Sequence, residues 1–271
     1  MDKLVIVRGG GDIATGTIYT LRRCGFPVLV LEAESPTAIR RCVAFSEAVY
    51  DGVSRVEDMT CRLADSYERA KEIMDSGDIA MMVDEECGVL EKLRPWALVD
   101  AILAKKNLGT NRDMANITIA LGPGFTAGED VDLVIETMRG HDLGRIIETG
   151  AALPNTGVPG LIAGFSSDRV IHAEKSGLLF NCAQIGDMVE KGQAIAFIRN
   201  EEGEFPVEAT IDGVLRGLIR DNFKVRKGLK IADIDPRESE KKTCFTISDK
   251  ARCLGGSVLT GLLYLEKRDS Q

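Results

Sequence analysis

The sequence has little that would support a metal centre, a disulfide framework or a membrane span. Its seven cysteines contain no C-x-x-C pair, and only two histidines are present, His141 and His172. A zinc site of the Cys/His type therefore lacks suitable spacing, and the cysteines are expected to be reduced thiols. No apolar run approaches the roughly 18 residues that a membrane-spanning helix needs.

The chain also lacks a basic character. Its formal net charge is −8 and its isoelectric point is about 5.0. This balance argues against general binding to nucleic acid or to an anionic membrane, both of which favour a basic surface. The opening residues, MDKLVIV, lead directly into an apolar segment without a signal-peptide pattern, which predicts a cytoplasmic protein. With 271 residues, the chain is long enough for two compact domains.

The first 32 residues have the order of a dinucleotide-binding βαβ unit. An apolar run, Leu4–Val7, is followed by glycines, an amphipathic segment and a second apolar run, Val28–Leu31, which leads into Glu32. The residues that fit a G-x-G-x-x-A pattern are Gly9, Gly11 and Ala14. Such a turn lets a phosphate approach the amino end of a helix, and the acid would accept hydrogen bonds from ribose hydroxyls.

Two interpretations of this turn remain open. The glycines bind a nucleotide-like ligand, or they only permit close packing of a strand and a helix. Asp12 counts against the first interpretation, because its carboxylate would face a pyrophosphate; it would instead cap the helix and weaken anion binding. We favour the nucleotide-like ligand because two strands and an acid surround the turn in the expected order.

Further apolar runs predict the rest of the first domain. Strands are expected at Cys42–Phe45, Ile79–Val83, Ala97–Ala104, Ile117–Leu121 and Val131–Glu136, with helical or loop segments between them. This alternation predicts an α/β fold with an N-terminal Rossmann-like, mostly parallel sheet. Polar residues that follow the strands would then meet in one crevice at the carboxyl edge of the sheet.

A second glycine turn, GPGFTAG, follows the strand Ile117–Leu121. It is either a second anion-binding loop or a rigid turn, and the sequence favours neither. Arginines shortly after it are suited to hold phosphate or carboxylate oxygens, whereas His141 is suited to acid–base work or simply lies on a surface loop. The predicted ligand-contacting residues are Gly9, Gly10, Gly11, Asp12, Ala14, Glu32, Gly122, Gly124, Arg139 and Arg145. No catalytic residue and no metal ligand is identified.

The second half of the chain contains a duplication. The segment that starts at Arg169 aligns without gaps with the segment that starts at Phe205, at an offset of 36 residues (213 − 177 for the glycines). The pattern resembles the barrel-sandwich hybrid fold of biotinyl and lipoyl domains. The link at 199–210 contains no lysine, so no biotin or lipoyl attachment is expected and a docking or structural module is favoured.

The predicted domains follow from these patterns. Residues 1–160 form the Rossmann-like domain, with a boundary linker at 149–160, and residues 161–240 form the barrel-sandwich hybrid domain. Residues 241–271 form a C-terminal helical segment, for which Ser248 is the predicted N-cap. Its glycine pair, Gly255–Gly256, predicts close contact with another helix. That helix belongs either to the same chain or to a second copy in a homo-oligomer. A ligand role for Lys250 or Arg252 is the less favoured alternative.

Several motifs together carry a family resemblance. They are VRGGGDIATG, LGPGFTAGEDVD, ETMRGHDLGR, IDPR and FTISDKA. Together they resemble the YqeB-type accessory proteins of the selenium-dependent molybdenum hydroxylase system. The resemblance implies a bacterial cytosolic protein that takes part in maturing molybdenum hydroxylases, with such an enzyme or its maturation proteins as partners. It implies no reaction and no catalytic residues.

Three functional hypotheses follow. The first is a maturation factor that binds a nucleotide-like or molybdopterin-type ligand in the first domain. The second is an NAD(P)-dependent oxidoreductase acting on a cofactor, sulfur or selenium intermediate, in which Glu32 would favour NAD because a carboxylate repels a 2′-phosphate. The third is a scaffold that binds no ligand.

Overall fold

The computed structural model describes residues 2–157 and 164–269, and the chain divides into two compact units. Unit 1 contains Met1–Pro36, Ala44–Thr156 and Ile247–Gln271. Unit 2 contains Thr37–Val43 and Gly157–Thr246. Each unit is therefore built from separate stretches of the sequence.

A nine-stranded sheet forms the centre of unit 1. Its strands are β1 (Val5–Arg8), β2 (Val28–Glu32), β3 (Val53–Val56), β4 (Met59–Leu63), β5 (Ile79–Val83), β6 (Ala97–Asp100), β7 (Ile117–Leu121), β9 (Leu133–Ile135) and β10 (Ile146–Ile147). A small second sheet pairs β8 (Thr126–Ala127) with β11 (Gly150–Ala151). The central strands are continuous runs of apolar residues because both faces of the sheet are covered.

The strand order of the large sheet is β10-β9-β7-β6-β1-β2-β5-β4-β3. The pairs from β4 to β9 are parallel, and the pairs β3–β4 and β9–β10 at the two edges are antiparallel. From β1 the chain first builds the side that contains β2 and β5, and then returns to build the side that contains β6, β7 and β9. The carboxyl ends of all these parallel strands lie along one edge.

Four α-helices are present among the described residues. They are α1 (Asp12–Arg23), α2 (Ala48–Asp51), α3 (Tyr67–Asp75) and α4 (Asp249–Asp269). The buried side chains Ile73 and Met74 of α3 pack with Ile6 and Leu29 of the sheet. This apolar contact fixes one face of the sheet by burial of hydrophobic surface.

Helix α4 lies side by side with α1. A Cβ atom at Gly16 would overlap the carbonyl of Ala251, and a Cβ atom at Gly255 would overlap the hydroxyl of Thr20. The two helices are parallel, since Gly16 faces Ala251 and the residue four positions later, Thr20, faces Gly255. The amino end of α4 therefore lies beside the amino end of α1, at the carboxyl edge of the sheet.

Unit 2 contains two four-stranded antiparallel sheets. Its strands are β12 (Val170–His172), β13 (Gly177–Asn181), β14 (Met188–Val189), β15 (Ala194–Asn200), β16 (Gly203–Glu208), β17 (Gly213–Leu218), β18 (Lys224–Val225) and β19 (Lys230–Asp235). One sheet has the order β12-β19-β17-β14 and the other the order β16-β15-β13-β18. Strands β13 to β15 recur as β17 to β19 at the 36-residue offset, and the halves exchange strands because β13 pairs with β18 and β14 pairs with β17.

The predicted fold class is wrong. The large sheet is mixed instead of Rossmann-like: its inner pairs are parallel, and antiparallel partners close both of its edges. Unit 2 forms two separate antiparallel sheets in place of the predicted barrel-sandwich hybrid domain. The edge strands β3 and β10 are short and partly exposed, and such strands give no hydrophobic signal that separates them from loops.

Other segments also differ from the sequence predictions. The expected strand Cys42–Phe45 falls in two short 3₁₀ turns, Arg41–Val43 and Phe45–Glu47. Helix α4 belongs to unit 1 instead of to a segment of its own. Part of the predicted linker, residues 158–160, lies outside the described residues.

Candidate functional site at the carboxyl edge of unit 1

The topology of the large sheet points to one crevice. Strand β1 is parallel to both of its neighbours, β2 and β6, and the chain builds the two sides of the sheet outward from it. The loops that follow β1 and β6 therefore lead away in opposite directions. In open α/β sheets, ligands bind at this switch point, outside the carboxyl ends of the strands.

The first glycine turn lies at this switch point. Gly9 has a φ of +92°, and a Cβ atom there would lie 3.1 Å from the carbonyl oxygen of Ala101 and from the backbone of Ile102. At Gly10 a Cβ atom would lie 3.1 Å from the amide nitrogen of Ser46. The fold thus requires glycine at Gly9, where φ is positive, and packs closely around Gly10.

Gly11 differs from the two glycines before it. It has an ordinary φ of −64°, and no heavy atom lies within 4 Å of the position its Cβ would occupy. It is the N-cap residue of α1 and forms no side-chain capping bond. The amino end of α1 therefore begins without the side-chain oxygen that Ser, Asp or Asn would supply there, and open space lies beside it.

The expectation that Asp12 caps the helix is wrong, because Gly11 is the N-cap of α1 and no side chain caps it. Asp12 is the first residue of the helix and is half-buried, while Ala14 is fully buried against the sheet. Thr15 donates its backbone N–H to Gly11 O at 2.8 Å, and its hydroxyl accepts a bond from the amide of Phe45 at 3.0 Å. The first turn of the helix is thereby held in place by the segment that follows β2.

Glu32 lies at the end of β2 and binds the glycine turn directly. Its Oε2 accepts a hydrogen bond from the Gly10 amide at 2.7 Å, and its Oε1 accepts one from the Ala33 amide at 2.8 Å. Burial raises the pKa of Glu32, the two backbone bonds oppose this rise, and the charge of Glu85 adds to it. Part of the carboxylate is therefore used to hold the turn, a role that the sequence pattern does not reveal.

The second glycine turn packs tightly onto its surroundings. Gly122 has a φ of +81°, and a Cβ atom there would lie 2.6 Å from the hydroxyl of Thr137. Gly124 has a φ of +111°, and a Cβ atom there would lie 2.6 Å from Cα of Lys106. This turn and the loop after β6 thus contact each other, next to the first turn.

The loop after β6 contains an unusual backbone. Leu103 and Lys105 have φ values of 60° and 63°, in the left-handed region that side chains with a Cβ rarely adopt. Conformations of this kind cost about 1–3 kcal/mol each and cluster at functional sites. The loop contacts both glycine turns, through Ala101 and Ile102 on one side and Lys106 on the other.

A buried arginine holds this loop in position. Arg8, at the end of β1, donates to the hydroxyl of Thr110 at 2.6 Å and to the carbonyl of Glu85 at 2.7 Å. Asp100 accepts from the same hydroxyl at 2.6 Å and lies 3.7 Å from the Arg8 guanidinium. Burial raises the pKa of Asp100, against hydrogen bonds from Thr110 and Ile102 and the charge of Arg8. Sequence reasoning missed Arg8; the signal was a basic residue inside an otherwise apolar strand.

The two arginines of the predicted site bind carboxylates of the protein. Both terminal nitrogens of Arg139 donate to Asp249 at 2.8 Å, which is the forked geometry expected for an oxyanion ligand. Arg145 pairs with Asp142 of its own loop at 2.9 Å and is exposed. His141 is exposed as well. The structure places Arg139 next to the first turn of α4, whereas Arg145 is held within its own loop.

The first turn of α4 adds a residue that the sequence ranked low. Lys250 is half-buried there, and Ser248 accepts the Ala251 amide at 3.2 Å, as an N-cap does. Burial lowers the pKa of Lys250 and the charge of Arg139 lowers it further, while Asp12, Glu136 and Asp249 raise it. The charge of Asp12, the first residue of α1, therefore acts on this lysine.

The described residues contain no group of three His, Cys, Asp or Glu side chains arranged to hold a metal ion. Within the same ranges, every helix is too short or too polar to cross a membrane.

The predicted glycine, Asp12, Ala14 and Glu32 positions all lie along the carboxyl edge of the sheet.

Comparison with curated proteins identifies a relative in sequence. No family model matches the chain. The chain is 50% identical over 263 residues to the uncharacterised protein YqeB of Escherichia coli K12, and the match covers 97% of this chain and 48% of that protein. This similarity supports the resemblance to YqeB-type proteins. The chain spans about half the length of the curated relative it matches.

Two solved structures illustrate a weak structural similarity to the chain. One is the succinylglutamate desuccinylase/aspartoacylase of Rhodobacter sphaeroides, 10% identical over 87% of this chain and 85% of that chain, with a TM-score of 0.31. Another is the apo ectoine utilisation protein EutE of Ruegeria pomeroyi, 11% identical over 85% of both chains, with a TM-score of 0.28. TM-scores this low establish neither a shared fold nor a shared function.

Proposed function

We propose that unit 1 binds a phosphate-bearing, nucleotide-like ligand at the carboxyl edge of its sheet. We further propose that the protein acts as an accessory factor in the maturation of selenium-dependent molybdenum hydroxylases, with a molybdopterin-type cofactor as the ligand. The pathway rests on the family resemblance of the sequence motifs. The ligand class rests on the site itself.

Gly11 is the observation that carries the ligand class. The fold does not require glycine there, because its φ is ordinary and no atom lies within 4 Å of its missing Cβ. A side chain at this position would occupy the space in front of the first amides of α1. The amino end of a helix attracts anions through its N–H groups and its dipole, so the space suits a phosphate.

A ligand panel tests the ligand class. Purified protein is heated in the presence of NAD, NADP, CTP, ATP and molybdopterin extracts, and the unfolding temperature is recorded for each. A ligand at 100 times its Kd stabilises the folded state by about 2.7 kcal/mol, which gives a clear shift. Stabilisation by a molybdopterin extract or a cytidine nucleotide supports the proposal, and no shift with any compound favours the scaffold.

A matched pair of glycine variants locates the site. Gly11→Val should lose the shift without unfolding the protein, because the added atoms enter open space. Gly256→Val is the control: its Cβ also has no heavy atom within 4 Å, and it lies within α4, away from the first turn. Binding that survives Gly11→Val contradicts the site assignment.

A redox assay separates the proposal from the NAD(P)-dependent alternative. Glu32 at the end of β2 is the feature that favours that alternative. Transfer of labelled hydride from NADH to a pterin or selenium acceptor supports an oxidoreductase. Retention of an unchanged cofactor, detected by mass spectrometry of protein purified from its native host, supports an accessory factor.

A further inference from the structure

Unit 2 includes one short stretch from a distant part of the sequence, Thr37–Val43. Strand β17 binds this stretch through its backbone. The amide of Leu218 donates to the carbonyl of Ile39 at 2.8 Å, and Nε of Arg41 donates to the carbonyl of Leu218 at 2.8 Å. A Cβ atom at Gly217 would lie 3.1 Å from the side chain of Ile39, so the stretch packs closely on the strand.

A buried arginine joins the same stretch to the last residues of unit 2. Nη2 of Arg40 donates to the carbonyl of Thr243 at 3.1 Å and to the carbonyl of Thr246 at 3.4 Å. Cys244 lies between these two carbonyls along the chain, and Cys42 follows Arg40 by two residues. Arg40 therefore holds the backbone around one cysteine close to the backbone around the other.

The two cysteines lie in 3₁₀ segments that contact each other. Cys42 belongs to Arg41–Val43, and Cys244 belongs to Glu238–Phe245. Cys244 is 1% exposed and is part of the core of unit 2, and the half-buried Cys42 packs against that core. The structure has both as reduced thiols. Packing thus brings together two cysteines that are 202 positions apart in the sequence (244 − 42).

The surroundings of Cys244 include two cations. Burial raises the pKa of Cys244; the charges of Arg40 and Arg216 oppose this rise, and the charges of Cys42 and Asp235 add to it. A thiolate that forms at Cys244 is therefore stabilised by two guanidinium groups. Cys42 is the more exposed of the two thiols, so an external reagent meets Cys42 first.

We propose that Cys42 and Cys244 form a redox-sensitive pair, which a small-molecule disulfide converts into an intramolecular disulfide. The Cys42 thiolate attacks the small disulfide, whose S–S bond breaks, and one small thiolate leaves. The Cys244 thiolate then attacks Sγ of Cys42 in the mixed disulfide, and the second small thiolate leaves. Each small thiolate takes up the proton that a protein thiol gave up, and two electrons pass from the protein to the reagent.

The new bond would attach the stretch Thr37–Val43 covalently to the last residues of unit 2. The pair lies within unit 2 and depends on neither the ligand nor the glycine turns of unit 1. Oxidation therefore acts on how firmly unit 2 holds this stretch.

Peptide mapping tests whether the disulfide forms. Full-length protein is incubated with glutathione disulfide, blocked with N-ethylmaleimide and digested without reductant for mass spectrometry. We expect a linked pair of peptides that contains Cys42 and Cys244 and that is absent from Cys42→Ser. Cys253→Ser, which removes an exposed thiol of unit 1, is the control and should give the linked pair as wild type does. Unlinked Cys42 and Cys244 in protein whose exposed Cys24 carries glutathione overturn the inference.

Protein unfolded in urea is the reference for native proximity. In a flexible chain, the entropic cost of closing a loop grows with its length, so shorter loops close more readily than this one. Oxidation in urea should therefore give mixed pairs, and the native protein should give at least about tenfold more of the link between Cys42 and Cys244. A native yield no higher than the yield in urea overturns the inference.

Hydrogen exchange tests whether the disulfide fastens the stretch. The Leu218 amide donates to Ile39, so it exchanges when Thr37–Val43 separates from β17. Its exchange should slow by about tenfold or more on oxidation and recover on reduction, because a disulfide restricts the open state. Cys42→Ser should show no response to the oxidant. An unchanged Leu218 rate in protein whose disulfide has been verified by mapping contradicts the proposed fastening.

Discussion

The two glycine turns at the carboxyl edge of unit 1 look alike in sequence and differ in structure. In the second turn, Gly122 and Gly124 have positive φ values, and a Cβ atom at either would lie 2.6 Å from a neighbouring atom. In the first turn, Gly9 and Gly10 are similarly confined, but Gly11 has an ordinary φ and open space around it. Packing explains the glycine at four of these five positions. It does not explain Gly11, where we propose that the ligand requires the open space.

Glycine can allow close packing of the backbone or leave space for a ligand, and a sequence motif does not distinguish these two roles. At Gly124 the backbone of Lys106 occupies the place of a side chain, so the residue serves the fold. At Gly11 nothing in the described chain occupies that place. Between the two turns lies the loop after β6, which contacts both and contains two left-handed residues. The comparison therefore predicts variants that act on the fold and variants that act on binding.

The largest effect is expected where one residue supports both turns. Arg8→Met should destabilise unit 1 by about 3–5 kcal/mol, because it leaves Asp100 buried without its cation and removes bonds to the loops after β5 and β6. Urea unfolding measures the change. The control is Arg62→Met, which removes a half-exposed pair with Asp78 and should cost less than about 1 kcal/mol. Equal losses in the two variants would show that the buried network does not hold the loop.

The next effect contrasts the turns directly. Gly124→Ala should cost about 2–4 kcal/mol, since a side chain at φ +111° is strained and would overlap the backbone of Lys106. Gly11→Ala should cost no more than about 1 kcal/mol, which is the advantage of glycine over alanine at an N-cap. Thermal unfolding of the two variants gives both numbers. A large loss for Gly11→Ala would mean that the fold requires glycine there, and the comparison would fail.

A smaller, pH-dependent effect is expected at Glu32. Burial raises the pKa of this carboxyl in the folded protein, so its contribution to stability is greatest at low pH and declines as pH rises through the folded-state pKa. The unfolding temperature of wild type relative to Glu32→Gln should therefore fall as pH increases from about 4. A difference that grows with pH would mean that the hydrogen bonds to Gly10 and Ala33 outweigh burial.

The smallest effect concerns the loop between the turns. Lys105→Gly should stabilise the protein by about 0.5–1 kcal/mol, because glycine adopts a φ of 63° without a Cβ penalty. This net value already includes the loss that arises because glycine makes the unfolded chain more flexible. Calorimetry measures the change. Lys71→Gly, within α3, is the matched control and should destabilise by about 1 kcal/mol.

The sequence predicts the central strands and the first turn well, for a simple physical reason. Buried strands such as Ile79–Val83 and Ile117–Leu121 are continuous apolar runs, and the structure has them with the same bounds. The strand expected at 97–104 ends at Asp100, because Leu103 turns into the left-handed region, which no apolar pattern signals. Residues 43–45 are apolar because they are buried in and between two 3₁₀ turns, and burial alone does not distinguish such turns from a strand.

Contacts between distant parts of the chain could not be predicted from the sequence. Glu32 binds the Gly10 amide across 22 residues, and Arg139 binds Asp249 across 110 residues. The sequence reveals Asp12 as an obstacle to an anion, but it does not reveal that α4 packs against α1. Residue types reveal which groups are available, and tertiary packing decides which of them meet.

Amide NMR gives the most direct test of the central claim, that the amino end of α1 receives the anionic group of a ligand. Isotope-labelled protein is titrated with pyrophosphate and with the nucleotide that gives the largest thermal shift. We expect the amide signals of Gly11, Asp12 and Ile13 to move together and to saturate, and we expect Gly11→Val to abolish the movement. Signals that stay fixed at these three amides while others move would contradict the account.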